Sequence, residues 1–497
     1  MARRDPASGD RRGDPPLAAW SPTIARGAGP LYLAIADALA ADVARGALRA
    51  GTRLPSQRIL AARLGVDFTT VTRAYAEARR RGLVDGKVGQ GTWVRERPAG
   101  AMGDPAAPAL GRPPGRLPDH QQPSRPPERR GLIDMSMNLP PPVDGAAGGR
   151  LWESIAAIGR DGGADLLMRY QEPGGSAEDR EAGALWLSPR LPGADPARIL
   201  ACPGAQSALL AACHALCQPG DAIAAATLVY PGLIATAKVL GLRLVAVDMD
   251  DGGPTPEALD AVCAAHAPRA FYCNPTLSSP TTRTLSLQRR QALVAVAARH
   301  GVSIIEDDAY GALAPEAPPP LARLAPENVI HIAGMAKSVA PALRVAWLTA
   351  PDIRCATRLA AAIGATTLMA SPLTLAIAAT WIRNGQAASI RDAIRAETAA
   401  RVAMARRILP PELVASDPDA FHLWLHAPAP WGGADLAGQL RAAGVAAVPA
   451  GAFAIGPAPQ ALRLGLGVPA SRADLERCLY VTADLLARSP GFATGVV

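Results

Sequence analysis

The sequence predicts a two-part chain of mixed α and β structure: a small N-terminal α+β head and a large α/β body that ends in a smaller C-terminal subdomain. Three observations carry this. At 497 residues the chain exceeds what a single hydrophobic core sustains. From about Gly131 onward, short apolar runs alternate with Ala-rich helical segments, the pattern of a largely parallel sheet. Between head and body, residues 98–130 hold nine prolines and little that packs, the composition of a linker.

Bulk properties narrow the class. Hydrophobic residues make up 49% and charged residues 19%, which supplies ample core material for a soluble globular protein. No apolar run reaches the roughly 18 residues of a membrane span, and the arginines of MARRDPASGDRRGD precede no apolar segment, so neither a membrane partner nor a secretory signal is expected. A cytoplasmic location follows. The seven cysteines include no CxxC pair, so buried reduced thiols are expected, with no metal site and no disulfides. Charge is uneven: residues 1–97 hold 17 Arg and Lys against 9 Asp and Glu, which accounts for the whole net charge of +8. A basic head on a neutral body suits a module that binds a polyanion, though a solvated basic surface gives the same balance.

In order along the chain, residues 1–25 form a polar tail expected to be disordered, and the head spans 26–97. Leu31, Ile35, Leu39 and Val43 recur at helical spacing, and Gly46 with Gly51 ends that helix. Ser56 is placed to cap a second short helix that runs through Leu64 and stops at Gly65. Thr69 to Arg81 reads as a third helix, stopped by Gly82. The extended runs Leu83–Val84 and Thr92–Val94, joined by DGKVGQG, form a hairpin or wing. The linker 98–130 spans on the order of 30 Å if flexible.

In the body, residues 131–490, the runs RILACPG, DAIAAATLVYP, RLVAVDMD, RAFYCNP, VSIIEDDAY, NVIHIAG and RVAWLTA read as buried strands, with helices such as Leu287–His300 between them. Ligands of such sheets gather at the carboxyl ends of strands. After Ala350 the chain turns mostly helical, with strand-like segments returning near Phe421–His426 and Ala461–Gly467. MSMNLPPP reads as the first strand of the body. The chain has only three lysines, Lys87, Lys238 and Lys337, beside 48 arginines. Where a positive charge suffices, this sequence uses Arg. A retained Lys therefore points to an amine that must deprotonate and add to a carbonyl, and Lys337, between an apolar strand and a Pro-containing turn, suits that need.

The head resembles the GntR-type winged helix-turn-helix. The matching residues are Leu54-Pro55-Ser56, Arg58, Leu60, Leu64-Gly65-Val66, Thr69-Thr70-Val71, Ala74-Tyr75, Gly82-Leu83-Val84 and Gly91-Thr92. The resemblance implies double-stranded DNA as partner, with the start of the third helix in a major groove about 12 Å wide. Thr69, Thr70 and Arg73 lie at or near that end, Arg58 is placed for a phosphate or a guanine edge, and Gly91 lets the wing backbone approach DNA. Asp67 and Phe68 stand where the family commonly has a hydroxyl residue and an arginine. Phe68 is open to two roles, contact with a thymine methyl or packing on the domain core.

The body resembles the PLP-dependent transferases of fold type I, the class I/II aminotransferases, and the combination of head and body resembles the MocR subfamily of regulators. The key stretch is HIAGMAKSVAPALRVAWL. The resemblance makes Lys337 the lysine that forms an aldimine with pyridoxal 5'-phosphate and Arg344 the grip on its phosphate. Asp307 is the partner of the pyridinium nitrogen, and Tyr310 and Asn274 neighbour the phenolic oxygen. Ala205 and Gln206 open a helix whose free amides favour phosphate. Tyr230 stacks on the ring, Tyr170 is contributed across a homodimer, and Arg463 binds a substrate α-carboxylate. Gly334 and Ala336 replace the family's hydroxyl residues before the lysine, which removes one phosphate anchor and either weakens cofactor affinity or shifts the load onto Arg344 and backbone amides. The expected function is a transcription regulator that senses an amino compound, or the cofactor itself, at Lys337. The alternative is a working aminotransferase in which Lys337, Asp307 and Tyr310 are catalytic and the head is accessory.

Overall fold

The computed structural model describes residues 20–22, 31–49, 51–80, 83–87, 91–94, 132–143, 146–160 and 163–488. The chain divides into two units, residues 1–119 and 120–497, so the division falls inside the Pro-rich segment.

The head contains helices Leu31–Ala44, Gln57–Leu64 and Phe68–Arg80, followed by antiparallel strands Val84–Lys87 and Gly91–Val94. Local chemistry sets the boundaries. The Ser56 hydroxyl accepts the Ile59 N–H at 3.4 Å, and Gly65, at φ +62°, turns the chain out of the second helix. The third helix starts one residue earlier than the sequence predicts, because the Asp67 carboxylate accepts the Thr69 N–H at 2.8 Å and so acts as the cap. Arg81 and Gly82, its predicted end and stop, lie outside the described residues. Ile35, Leu39, Leu60, Val71, Ala74 and Tyr75 form the core with Val84 and Val94 from the two strands. Tyr75 keeps its buried hydroxyl satisfied by donating to the Pro55 carbonyl at 2.8 Å. The first wing strand reaches Lys87 rather than ending at Val84, since Asp85, Gly86 and Lys87 pair with Trp93, Thr92 and Gly91.

All seven predicted runs of the body enter one sheet: β1 (Ile199–Cys202), β2 (Ala222–Ala226), β3 (Arg243–Val247), β4 (Ala270–Cys273), β5 (Ser303–Asp307), β6 (Val329–Gly334) and β7 (Ala346–Thr349). Their spatial order is β1-β7-β6-β5-β4-β2-β3, with β7 antiparallel to both its neighbours and the other pairs parallel. Apolar clusters cover both faces, which is why these strands read as continuous apolar runs. The predicted helix Leu287–His300 spans Leu287–Arg299, capped by Ser286.

The long helix Gln386–Ile408 leads into the C-terminal subdomain, an antiparallel sheet of Val414–Ser416, His422–His426, Ala461–Gly465 and Val448–Pro449. Arg401 ties that helix to the subdomain. It is buried, donates to the Leu466 and Pro469 carbonyls at 2.9 and 2.8 Å, and pairs with Glu397 at 2.7 Å. MSMNLPPP corrects one expectation. Strand structure stops at Ile133–Asp134, which pairs with Val445–Ala446, and Met135–Pro142 continues as a non-repetitive loop. All seven cysteines are buried and free. Among the described residues, no helix is long and apolar enough to cross a membrane.

Candidate cofactor site and nucleic-acid interface

The carboxyl ends of β4, β5 and β6 meet the start of helix Ala205–Leu216 around a cavity of about 280 Å³. Lys337, Asp307, Tyr310, Asn274, Tyr230, Ala205, Gln206 and Arg344 all line it. Residues spread over some 140 positions of sequence thus converge because parallel strands deliver their ends to one edge.

Asp307 closes β5, with its side chain on the same sheet face as Ile305. The Tyr272 hydroxyl donates to its Oδ2 at 2.7 Å, while Oδ1 is buried and has no partner. Burial pushes this carboxyl up, against the opposing bond from Tyr272. Lys337 follows β6. Its amine donates to the Asn138 carbonyl and lies 5.9 Å from the centre of the Tyr310 ring. Burial pushes the amine down to about 8, helped by the Arg463 guanidinium and opposed by Asp307. Tyr310 is 4% exposed, packs on Phe421 and His422, and accepts the Asn138 amide at 2.7 Å. Asn274 donates to the Asp307 carbonyl and accepts the Ser279 N–H at 2.9 Å.

Gly204 precedes the helix at φ +90°, and a Cβ there would stand 2.9 Å from the Arg344 guanidinium. Only glycine allows this approach, which sets Arg344 beside the free amides of the helix start. Arg344 itself adopts φ +53° and donates to the Pro203 carbonyl at 3.4 Å. Gln206 donates to the Gly232 carbonyl and the Thr236 hydroxyl at 3.1 and 2.9 Å, leaving its Oε1 without a partner. Gly334 and Ala336 line the cavity, whereas Ser338 is buried away from it with an unpartnered hydroxyl.

Two predicted residues stand apart. Arg463 is buried behind Ser279, donating to its hydroxyl at 3.3 Å and to the Ser136 carbonyl at 2.7 Å, over the Phe453 ring at 4.9 Å. Tyr170 is 82% exposed and is not among the residues lining the cavity. Sequence reasoning missed Asn138, Ser279, Tyr272 and His422. Burial pushes the His422 imidazole down to about 3, so it is neutral. The NLPPP run, with its polar Asn138 among apolar neighbours, was the available signal for the first of these.

These residues fit pyridoxal 5'-phosphate. A buried carboxylate oxygen lacks a partner, an amine of lowered basicity lines the same cavity, and a glycine-floored helix start faces an arginine.

On the head, Arg58 and Thr69 are exposed and Thr70 is half-buried. The Thr69 hydroxyl is already engaged by Asp67. Arg73 is exposed but its guanidinium lies 4.7 Å over the Tyr32 ring, which tethers it to the first helix. Gly91 opens the second wing strand, opposite Lys87; residues 88–90 of the wing lie outside the described residues. Phe68 is 45% exposed, which rules out the core role left open by the sequence.

Residues 144–479 match the family "Aminotransferase class I and II" and residues 31–94 match "Bacterial regulatory proteins, gntR family". The chain is 28% identical to the HTH-type transcriptional regulator YdeF of Bacillus subtilis over 479 residues, covering 94% of this chain and 96% of that protein. It is 29% identical to the HTH-type transcriptional regulator TauR of Rhodobacter capsulatus, covering 65% of this chain and 68% of that one. Among solved structures, the α-aminoadipate aminotransferase LysN of Thermus thermophilus, complexed with N-(5'-phosphopyridoxyl)-L-leucine, aligns with a TM-score of 0.64 at 24% identity, over 72% of this chain and 92% of that one. The chain therefore belongs to the aminotransferase class I and II family and carries a gntR-family head, the organisation of MocR-type regulators.

Proposed function

We propose that the protein is a cytoplasmic transcription regulator that binds double-stranded DNA through its head and pyridoxal 5'-phosphate in its body, and that it responds to a small amino compound at Lys337. The observation that carries this reading is the pairing, in one cavity, of the unpartnered Asp307 Oδ1 with the Lys337 amine, in a chain that also holds a gntR-type head. When bound, the cofactor supplies an aldehyde that bonds to primary amines and a ring that withdraws electrons.

The chain's own groups have separate tasks. Lys337, its amine lowered to about 8, loses its proton far more readily than an ordinary lysine and so supplies the amine for addition to a carbonyl. Asp307, through its unpartnered Oδ1, would accept a hydrogen bond from the cofactor's protonated ring nitrogen. Tyr310 and Asn274 would supply polar hydrogens to the ring's oxygen, and Tyr230 an aromatic wall. Arg344 and the amides of Ala205 and Gln206 hold the phosphate. Arg463 takes the carboxylate of an amino acid effector once it releases Ser136. Tyr170, exposed on its own subunit, completes the site of a partner in a homodimer. On the head, Arg58, Thr69, Thr70, Arg73 and the Gly91 backbone contact the duplex. An amino compound that binds one arrangement of the body more tightly shifts the population toward it, and so alters DNA binding.

A second reading, an active aminotransferase, is favoured by the completeness of the set Lys337, Asp307, Tyr310 and Arg463. Two measurements separate the readings. Wild-type protein incubated with pyridoxal 5'-phosphate is expected to gain the absorbance of a bound cofactor and Lys337→Ala to lack it, while promoter DNA from its own locus is protected in a salt-dependent way. Rapid turnover of amino acid with keto acid, without DNA protection, would replace the regulator with the enzyme.

A further inference from the structure

A second, larger cavity of about 440 Å³ lies against the opposite face of the same sheet. Its floor comes from β6 and the residue after β5. His331 and Ala333 face it, and so does Asp308, whose side chain points away from that of its neighbour Asp307 because strand residues alternate. Gly334 lines both cavities. The walls are Trp186, Leu187 and the alanines and prolines of 312–320, with arginines 190, 323, 391 and 395 among them.

The charges do not balance. Asp308 neutralises Arg190 through bonds of 2.8 and 3.4 Å. Arg391 and Arg395 share the carboxylate of Asp392, Arg395 also faces the charge of Asp419 and donates to the Leu313 and Ala312 carbonyls at 3.0 and 2.6 Å, and Arg323 makes no ion pair among the described residues. Among the described residues, Arg391 and Arg323 keep uncommitted guanidinium donors beside the apolar walls. At its floor, His331 is fully buried; its Nε2 stands 3.4 Å from Asp308, and its Nδ1 has no partner.

We infer that this cavity is a binding site for a small organic carboxylate with an apolar body, distinct from the site at Lys337. The carboxylate meets Arg391 and Arg323, and the body lies against Trp186 and Leu187. The site joins two parts of the body. Arg391 and Arg395 belong to the long helix that enters the C-terminal subdomain, whereas His331 and Asp308 belong to the sheet that carries Asp307 and Lys337. Occupancy therefore bears on how the subdomain meets the cofactor cavity.

The test is calorimetric titration of the full chain, preloaded with pyridoxal 5'-phosphate, using benzoate as probe, with benzamide and inorganic phosphate as controls. Benzoate is expected to bind saturably with one-to-one stoichiometry. Binding is expected to weaken at least tenfold in Arg391→Gln and in Ala317→Trp, which fills the cavity from a loop, and to persist in Arg463→Gln. Benzamide is expected to bind weakly or not at all. The assignment is overturned by absence of saturable benzoate binding in the millimolar range, by loss in Arg463→Gln with retention in the two cavity variants, or by phosphate binding as tightly as benzoate. The same titration on cofactor-free chain is expected to give the same binding, so failure of the cofactor reading would not disguise failure here.

Discussion

Asn138 bridges two side chains of the candidate cofactor cavity: its amide donates to the Tyr310 hydroxyl at 2.7 Å, and its backbone carbonyl accepts from the Lys337 amine. A loop thus holds both groups in place from outside the sheet that carries them.

Replacing Asn138 with Ala removes the first bond and spares the second. One hydrogen bond of about 1 kcal/mol corresponds to a shift of roughly 0.7 pH unit. The pH midpoint of the bound cofactor's spectral change should therefore move by about that much in Asn138→Ala, with the amount of cofactor bound little altered. A midpoint identical to wild type would remove Asn138 from the site's electrostatics.

Loading should depend on pH through Lys337. Its folded value, lowered to about 8, means that the amine is protonated below that pH and neutral above it. Only the neutral amine adds to an aldehyde. The rate at which cofactor-free protein gains absorbance should rise as pH passes through about 8 and level off above it. A lysine of ordinary basicity would keep the rate rising beyond pH 9, and stopped-flow mixing distinguishes the two profiles.

Gly204→Ala should damage phosphate binding without touching a charged group. The new methyl would stand 2.9 Å from the Arg344 guanidinium on a backbone held at φ +90°. Cofactor affinity, measured by absorbance titration, should fall at least tenfold, and the strained backbone should cost about 1–3 kcal/mol in stability. Full affinity in this variant would detach Arg344 from the phosphate.

On the head, the two arginines should behave differently. Arg58, exposed on the second helix, should when changed to Ala lower the slope of log affinity against log salt by about one. Arg73→Ala also loses the contact with the Tyr32 ring, so it should destabilise the head by about 0.5–1 kcal/mol. Filter binding across salt and thermal unfolding separate the two effects.

The cysteines should be silent in the folded protein. Burial pushes the Cys202 thiol up to about 12 and those of Cys217 and Cys478 to about 11. At pH 8 a thiol reagent should titrate almost none of the seven until denaturant is added.

The seven strands of the sheet were readable because burial on both faces leaves an uninterrupted apolar run. The alternation does not encode direction, so nothing in RVAWLTA marked β7 as antiparallel. In the site, Lys337 was legible from the scarcity of lysine, and Asp307, Tyr310 and Arg344 from motifs that resemble those of fold type I transferases. Asn138 was not, since it meets Lys337 across 199 positions of sequence and only tertiary closure brings them together. Likewise Arg73 showed its charge in the sequence, but not that Tyr32 on another helix would occupy it.

The antiparallel β7 has a further consequence. The chain leaves β6, passes Lys337, and turns back at Arg344 to enter β7, so a single tight loop carries both the amine and the guanidinium that face the cavity. The two contacts proposed for the cofactor thus belong to one loop. Release and capture of the cofactor should then be cooperative, with no long-lived state held at only one end.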